Sequence, residues 1–408
     1  MAVVVDQRDT RAEVGRRIRA LREKHGKSRA VLAGLVGRSE DWLKLIEGGK
    51  RGLPLQLAVR LARQLKVRDL SEIYGDDLTA PITMVDKPEH PDIQAVGMAL
   101  TNYVAEPSHP VVLDHVRMSV DAAWRTYQAG GNYRSAVGAV LPDLIRNAKA
   151  ATRAVDEVAR REALAVEASV YQLAQAYLSY QADAAHLIWL SAEKNMRAGL
   201  DADDPVTLAL SVRFYSFLLR SVDRGDEALD MLTDATRALE PLMPDGDADV
   251  RGLYGLMLIA SATTMARIGN PAAWTAWEQA DRVATTLPTG YVYPRHAFGR
   301  AYVDLHKTAL AVDLGDTTEA LRHAESFNSA LSPTQVWEST FLVNTARAYH
   351  QRRDTTALIP LLQAEKSSAE YVKFNTHARS IIADLATTGH RSVRTEATAL
   401  AHRLNVFA

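Results

Sequence analysis

The sequence predicts an all-α protein in two parts, a small helical head followed by a long helical array. Three observations predict it. Between Ser28 and Glu47 two short helical patterns sit back to back around a glycine. From Ile93 to the C-terminus apolar residues recur at helical spacing, with no period-2 alternation that would mark strands. Across the same region an alanine-based signature returns at intervals of 43, 45, 47 and 37 residues.

Residues 1–12 read as a mobile arm. A first helix is expected from about Glu13 to His25, with Val14, Ile18 and Leu21 inward and Gly26 as its stop. Ser28 is a good N-cap for the second helix, because its hydroxyl can accept from one of the first unpaired backbone amides. Leu32 with Leu35 or Val36 forms that helix's apolar face. Gly37 ends it, since glycine tolerates the left-handed backbone of a sharp turn. Ser39 caps a third helix, whose inward stripe is Leu43 and Ile46. A basic loop follows, Gly48-Gly49-Lys50-Arg51-Gly52. Two more helices, Leu55–Leu65 and Leu70–Tyr74, complete a head of 13–75. Pro81, Pro88 and Pro91 cannot continue a helix, so 76–92 is expected to be a linker.

The array then spans 93–408. Its signature is an alanine at the start of a second helix, a larger residue at +4 and a small one at +7. It occurs as Ala185/Trp189/Ala192, Ala228/Leu232/Ala235, Ala273/Trp277/Ala280 and Ala357/Leu361/Ala364, with a weaker copy at Ala320/Ala324/Phe327. Turn signals precede several copies: Gly225-Asp226, Gly269-Asn270-Pro271, Gly315-Asp316 and Arg353-Asp354. Paired helices with small residues at their closest crossing stack as solenoids. Ala123-Trp124, Tyr127, Tyr133 and Leu141-Pro142-Asp143-Leu144 predict one further pair ahead of the first clear repeat.

The stretch from Val14 to Tyr74 resembles the Cro/phage-repressor helix-turn-helix, the XRE family, through Leu32-Ala33, Gly37, Ser39, Leu43, Ile46-Glu47, Gly49-Lys50-Arg51 and Pro54. The resemblance implies a five-helix head that inserts its third helix into the major groove of double-stranded DNA. It also implies a partly buried Arg22–Glu47 ion pair joining the first helix to the third. The array resembles the tetratricopeptide repeat, though its periods exceed the usual ~34 residues and the Trp-Leu-Gly-Tyr half of the motif is mostly missing; an armadillo-like array is the structural rival. The whole layout resembles the peptide-responsive quorum-sensing regulators (RRNPP-like), and the Ala/Arg-rich composition resembles regulators of actinobacteria.

In this family the base-facing positions fall on Ser39, Glu40, Asp41, Lys44 and Leu45. Lys44 can donate to guanine, a carboxylate can accept from the cytosine amino group, and Leu45 can touch a thymine methyl. Glu40 and Asp41 depart from the family's usual residues and would lie near phosphates. Ser28, Arg29, Arg38, Lys50 and Arg51 are the expected phosphate contacts, which give affinity and orientation. Trp42 is expected to pack against the basic loop. In the array, Phe214, Tyr215, Trp274, Tyr291, Tyr293, His296, Trp337 and Asn344 are candidates for a peptide or small-molecule site on a concave face; Trp277 holds a repeat position and is assigned to the core.

Charge is divided between the two parts. From Arg8 to Arg68 the chain carries 17 Lys and Arg against 6 Asp and Glu, a net of +11, and the remainder carries 31 against 43, a net of −12. A basic head on an acidic body makes the head the expected nucleic-acid contact. With no cysteine there is no disulfide framework or thiolate metal site, which fits a reducing cytoplasm. The N-terminus reads as too short and too soon acidic for a signal peptide, so none is expected, and no apolar run reaches membrane length. There is no Gly-x-Ser-x-Gly, His-Glu-x-x-His or phosphate loop, and the twelve histidines are scattered. No catalytic residue, metal or cofactor is expected. The expected function is that of a cytoplasmic, homodimeric transcription regulator on a palindromic operator, dimerising and sensing a ligand through the array. The alternative is an adaptor whose array binds a partner protein while the head only localises it.

Overall fold

The structure, a computed structural model, describes residues 7–53, 55–67, 71–75, 90–102, 111–181 and 184–406, and among them all regular structure is helical. Pro54, most of the expected linker (76–89) and the first six residues of the expected arm lie outside the described residues. Contacts divide the chain into two compact units. The first is Met1–Pro88 with Thr355–Leu362 and Lys373–Ala408; the second is Glu89–Asp354 with Gln363–Val372. The C-terminal helices thus group with the head, where the sequence reading had 93–408 as one body.

The head holds α1 (Gln7–Lys24), α2 (Arg29–Leu35), α3 (Glu40–Glu47), α4 (Leu55–Gln64) and α5 (Ser71–Tyr74). Helix α1 starts at Gln7, six residues before the expected Glu13, because nothing between them breaks a helix. Ser28 and Ser39 both act as N-caps, their hydroxyls accepting from the Val31 and Trp42 amides at 3.2 Å each. Gly37 makes the turn at φ +69°. Val36, not Leu35, completes the inner face of α2: Val36 is buried and Leu35 is 50% exposed. Leu32, Leu43, Ile46, Leu61 and Ile18 close the core. Helices α1 and α3 approach so closely that a Cβ at Gly15 would stand 2.4 Å from the Ile46 carbonyl oxygen and 2.7 Å from that of Glu47. Both obstacles are backbone, so Gly15→Ala is expected to lower stability by about 2–3 kcal/mol in chemical denaturation. A loss below about 0.5 kcal/mol would mean that the two helices separate freely.

The second unit begins with α6 (Ile93–Thr101). Five helix pairs follow: α7 (Leu113–Gln128) with α8 (Tyr133–Ala154), α9 (Glu157–Leu178) with α10 (Ala185–Asp201), α11 (Pro205–Ser221) with α12 (Gly225–Leu239), α13 (Ala248–Arg267) with α14 (Ala273–Thr285), and α15 (Arg300–Asp313) with α16 (Thr317–Ser326). Helix α17 (Gln335–Gln351) is followed by α18 (Leu358–Ser367), and Ser339 Oγ donates to the Ala364 carbonyl. Then come α19 (Ala369–Phe374) and, in the first unit, α20 (Thr376–Thr388) and α21 (Arg391–Arg403). This is the expected tetratricopeptide-like array, including the extra pair α7–α8.

The repeat alanines sit where close crossings need them. Ala228, Ala273, Ala280, Ala320, Ala357 and Ala364 are all fully buried. Ala185 is a correction: it is exposed, and Ala184 and Leu187 face inward in its place. Two adjacent alanines left the phase of α10 ambiguous by one residue, or 100° of helix.

In the second unit each odd-numbered helix from α7 to α17 touches the next, and α17 returns to touch α7. The inner row therefore closes into a ring, a solenoid wound through one turn. No described helix is long and apolar enough to cross a membrane.

Candidate functional site

Two places in the chain have the chemistry of a site. The first is the outer face of α3. Helix caps fix its start and the Arg22–Glu47 pair fixes its end. Arg22 Nε and a terminal guanidinium nitrogen grip the two Glu47 oxygens at 2.6 and 3.1 Å, both side chains being less than a tenth exposed. Arg22 also donates to the Lys27 carbonyl at 3.0 Å, which ties α1 to the start of α2. The expected ion pair is present, and it has a third member: Arg29 Nε donates to Glu47 Oε2 at 2.7 Å. Arg29 is thus held by Glu47 and a third exposed, rather than projecting freely.

With Leu43 and Ile46 turned inward, α3 presents Glu40, Asp41, Lys44 and Leu45 outward, and all four are exposed. Ser28, Arg38, Ser39, Lys50 and Arg51 are exposed around them. Among the described residues the side chains of Arg38, Lys44, Lys50 and Arg51 have no carboxylate or other hydrogen-bond partner. The loop is fixed from behind, because the Leu45 carbonyl accepts from both the Lys50 and Arg51 amides, at 2.9 and 3.2 Å. Trp42 is buried and lines a shallow recess together with Arg38 and Arg51, so it packs beside the basic loop as expected. Glu40 and Asp41 occupy the first turn of α3, where a negative charge favours the helix dipole by about 0.3–1 kcal/mol. That local gain accounts for two carboxylates on a face otherwise built of free cations.

The second place lies inside the ring of the second unit. The connection from α14 to α15 runs into it. Arg295 Nε donates to Asp121 Oδ1 on α7 at 2.7 Å, and the Arg295 carbonyl accepts from Gln128 at 2.9 Å. Arg295 and Ala297 hold left-handed backbones at φ +65° and +63°, which non-glycine residues adopt only when surroundings enforce it. Beside this connection is a cavity of about 910 Å³, lined among others by Asp121, Arg125, Gln128, Asp249, Tyr293 and His296. A second of about 740 Å³ includes Tyr291, Tyr302, Lys307 and His323 in its lining.

His296 is 4% exposed, and its Nε2 has no partner. Trp124 lies 5.0 Å and Phe214 5.6 Å from its ring, centroid to centroid. Burial first, then the Arg213 and Arg295 charges, hold its pKa well below the ordinary 6.5, so the ring is neutral. His306 is lowered to about 4, again mainly by burial, although its Nδ1 donates to the Tyr302 carbonyl at 2.7 Å.

Only part of the expected ligand set is brought together. Tyr293 and His296 line the larger cavity, and Phe214 packs against the His296 ring. Tyr291 lines the second and donates from its hydroxyl to Asp249 at 2.5 Å. Trp337 packs edge-on to Tyr302 and tilted against His306, Tyr215 edge-on to Trp189, and Trp274 edge-on to Trp277 and tilted against His323. Asn344 accepts from Arg347 at 2.8 Å. Trp277 is part of the packing, its indole donating to the Val303 carbonyl at 2.9 Å.

Sequence reasoning passed over Arg213 and Arg220. Arg220 donates to Thr263 at 2.8 Å and lies over the Phe217 ring, while its buried Nε is unpaired. Burial and the charges of Arg267 and Arg213 push its pKa down to about 10. The available signal was their spacing: seven apart on a largely apolar helix, they share one face.

The fold and these faces define a helix-turn-helix protein with a helical repeat body. Residues 13–73 match the family described as "Helix-turn-helix domain", and that segment is such a domain. Among solved structures the chain is similar to ComR from Streptococcus suis at 14% identity and a TM-score of 0.33, over 84% of this chain and 95% of that one. It is also similar to the apo form of the competence regulator ComR from Streptococcus vestibularis at 15% identity and a TM-score of 0.23, over 68% and 93%. A search of curated proteins found no match.

Proposed function

We propose that this chain is a transcription regulator. Two copies place their α3 helices in successive major grooves of a palindromic operator, and a peptide or small molecule in the second unit's cavities modulates that binding. The observation that carries the DNA reading is the exposed Lys44–Leu45 edge of α3, framed by Arg38, Lys50 and Arg51 without counter-charges. One head covers little DNA, so specificity calls for two, their spacing set by the protein's two-fold axis. The ligand reading is supported by the unpaired, buried His296 Nε2 at the cavity lined by Tyr293 and Arg295. A ligand acts on DNA only through different affinity for two shapes of the protein.

The test is mass by light scattering together with binding to the DNA upstream of its own gene, followed across a salt series. A dimer whose affinity falls steeply with salt is expected. Lys44→Ala should weaken operator binding about ten- to a hundredfold, while binding to random sequence holds. A monomer indifferent to DNA, or an operator affinity untouched by Lys44→Ala, overturns the reading in favour of a protein-binding adaptor.

A further inference from the structure

The unit that holds the head also holds the C-terminal hairpin α20–α21, with α20 touching α4. Where they meet is a recess of about 60 Å³, the size of a single phosphoryl group. Three arginines line it: Arg11 from α1, Arg51 from the loop after α3, and Arg394 from the first turns of α21. No carboxylate is in the lining, and none of the three arginines has a hydrogen bond or ion pair among the described residues. Tyr74, at the same recess, donates its hydroxyl to the Leu53 carbonyl at 3.1 Å and is kept protonated by burial and by the charge of Asp384 on α20. Gathering three like charges is unfavourable in the empty protein, so the arrangement is complete only when an anion joins it.

We propose that α21 belongs to the DNA-binding surface, with Arg394 joining Arg51 and Arg11 on one backbone phosphate at the edge of the site. The inference rests on the DNA-binding reading above and extends it. Arg51 follows directly on Lys50 in the loop anchored to Leu45 of α3, so an anion in this recess lies in line with the phosphates that the loop would meet. A phosphate contact carries no base information. It therefore strengthens binding to every sequence equally, and it makes the chain's last helix part of the affinity of its first domain.

The experiment is fluorescence anisotropy of the full chain on a selected operator and on a random-sequence duplex, each over a salt series. Arg394→Ala is expected to weaken both about tenfold near 0.1 M salt and to reduce the logarithmic salt slope by about 1, whereas Arg394→Lys keeps the slope. The melting temperature, measured alongside, shows that the variant is folded. An unchanged slope overturns the proposal, as does tighter binding, which would mean that α21 masks the head. Stabilisation of wild type but not Arg394→Ala by inorganic phosphate, with DNA binding unaltered, marks a free-anion site and also overturns it. If Lys44→Ala weakens the operator and Arg394→Ala does not, this inference falls and the regulator stands; if wild type binds neither duplex, both fall.

Discussion

Glu47→Ala is expected to lower the stability of the head by about 3–5 kcal/mol, the cost of leaving a buried charge without its partner. Glu47 is the hub of a three-residue cluster, taking two bonds from Arg22 and one from Arg29. The Arg22 side chain is 8% exposed and that of Glu47 2% exposed, so removal of the carboxylate strands a guanidinium that water reaches poorly. Arg29→Ala should lose no more than about 1 kcal/mol, because its side chain is 33% exposed and its removal leaves the Arg22–Glu47 grip whole. Glu47→Gln should fall between, keeping shape and one acceptor while losing charge. Urea denaturation of the three variants tests the order. Equal losses for Glu47→Ala and Arg29→Ala would mean that the cluster behaves as a surface ion pair. On the proposed function the effect reaches DNA binding, because the same pair holds α1 against the end of α3, beside the Gly15 contact, and a loosened joint presents Lys44 and Leu45 at no fixed angle.

What the sequence made legible was local. Ser28 and Ser39 could be read as caps, and Gly37 as the turn, because each acts within four residues of itself. Arg22 and Glu47 lie 25 residues apart and became legible only through family resemblance, since nothing in their spacing joins them. The repeat alanines were readable because burying a helix crossing selects a small side chain every seven residues; the phase failed at Ala185, where Ala184 offers the same side chain one position earlier. The interior of the ring was not legible. Arg295 meets Asp121 across 174 residues, a contact that exists only once five helix pairs have stacked and α17 has returned to α7. The aromatics Trp274 and Tyr215 looked like their neighbours Tyr293 and His296 in the sequence. Helix phase decides which of them turn toward the cavity and which fill gaps between helices, and phase is weakly marked where a helix is buried nearly all round.

Acidification below pH 6.5 is expected to destabilise the second unit through its two buried histidines, His306 alone contributing about 2 kcal/mol by about pH 5 and His296 acting in the same direction. In the unfolded chain both rings take a proton near pH 6.5. In the folded chain His306 takes one only at about 4, and His296 is likewise shifted far down. Over that window the unfolded state binds protons that the folded state refuses, so stability is fully present above pH 6.5 and declines as the pH falls toward the folded values. The cause is burial first, then the charges of Arg213 on both rings, Arg295 on His296 and Arg220 on His306. A ring proton would add a third positive charge to that group. Carboxylates titrate mostly below this window, which keeps the measurement clean. His306→Gln preserves a donor to the Tyr302 carbonyl and removes the titration, so its stability curve should lose about 2 kcal/mol less than wild type from pH 6.5 to about 5. A variant curve parallel to wild type would show that His306 ionises normally, and that water reaches the interior of the ring between Tyr302 and Trp337.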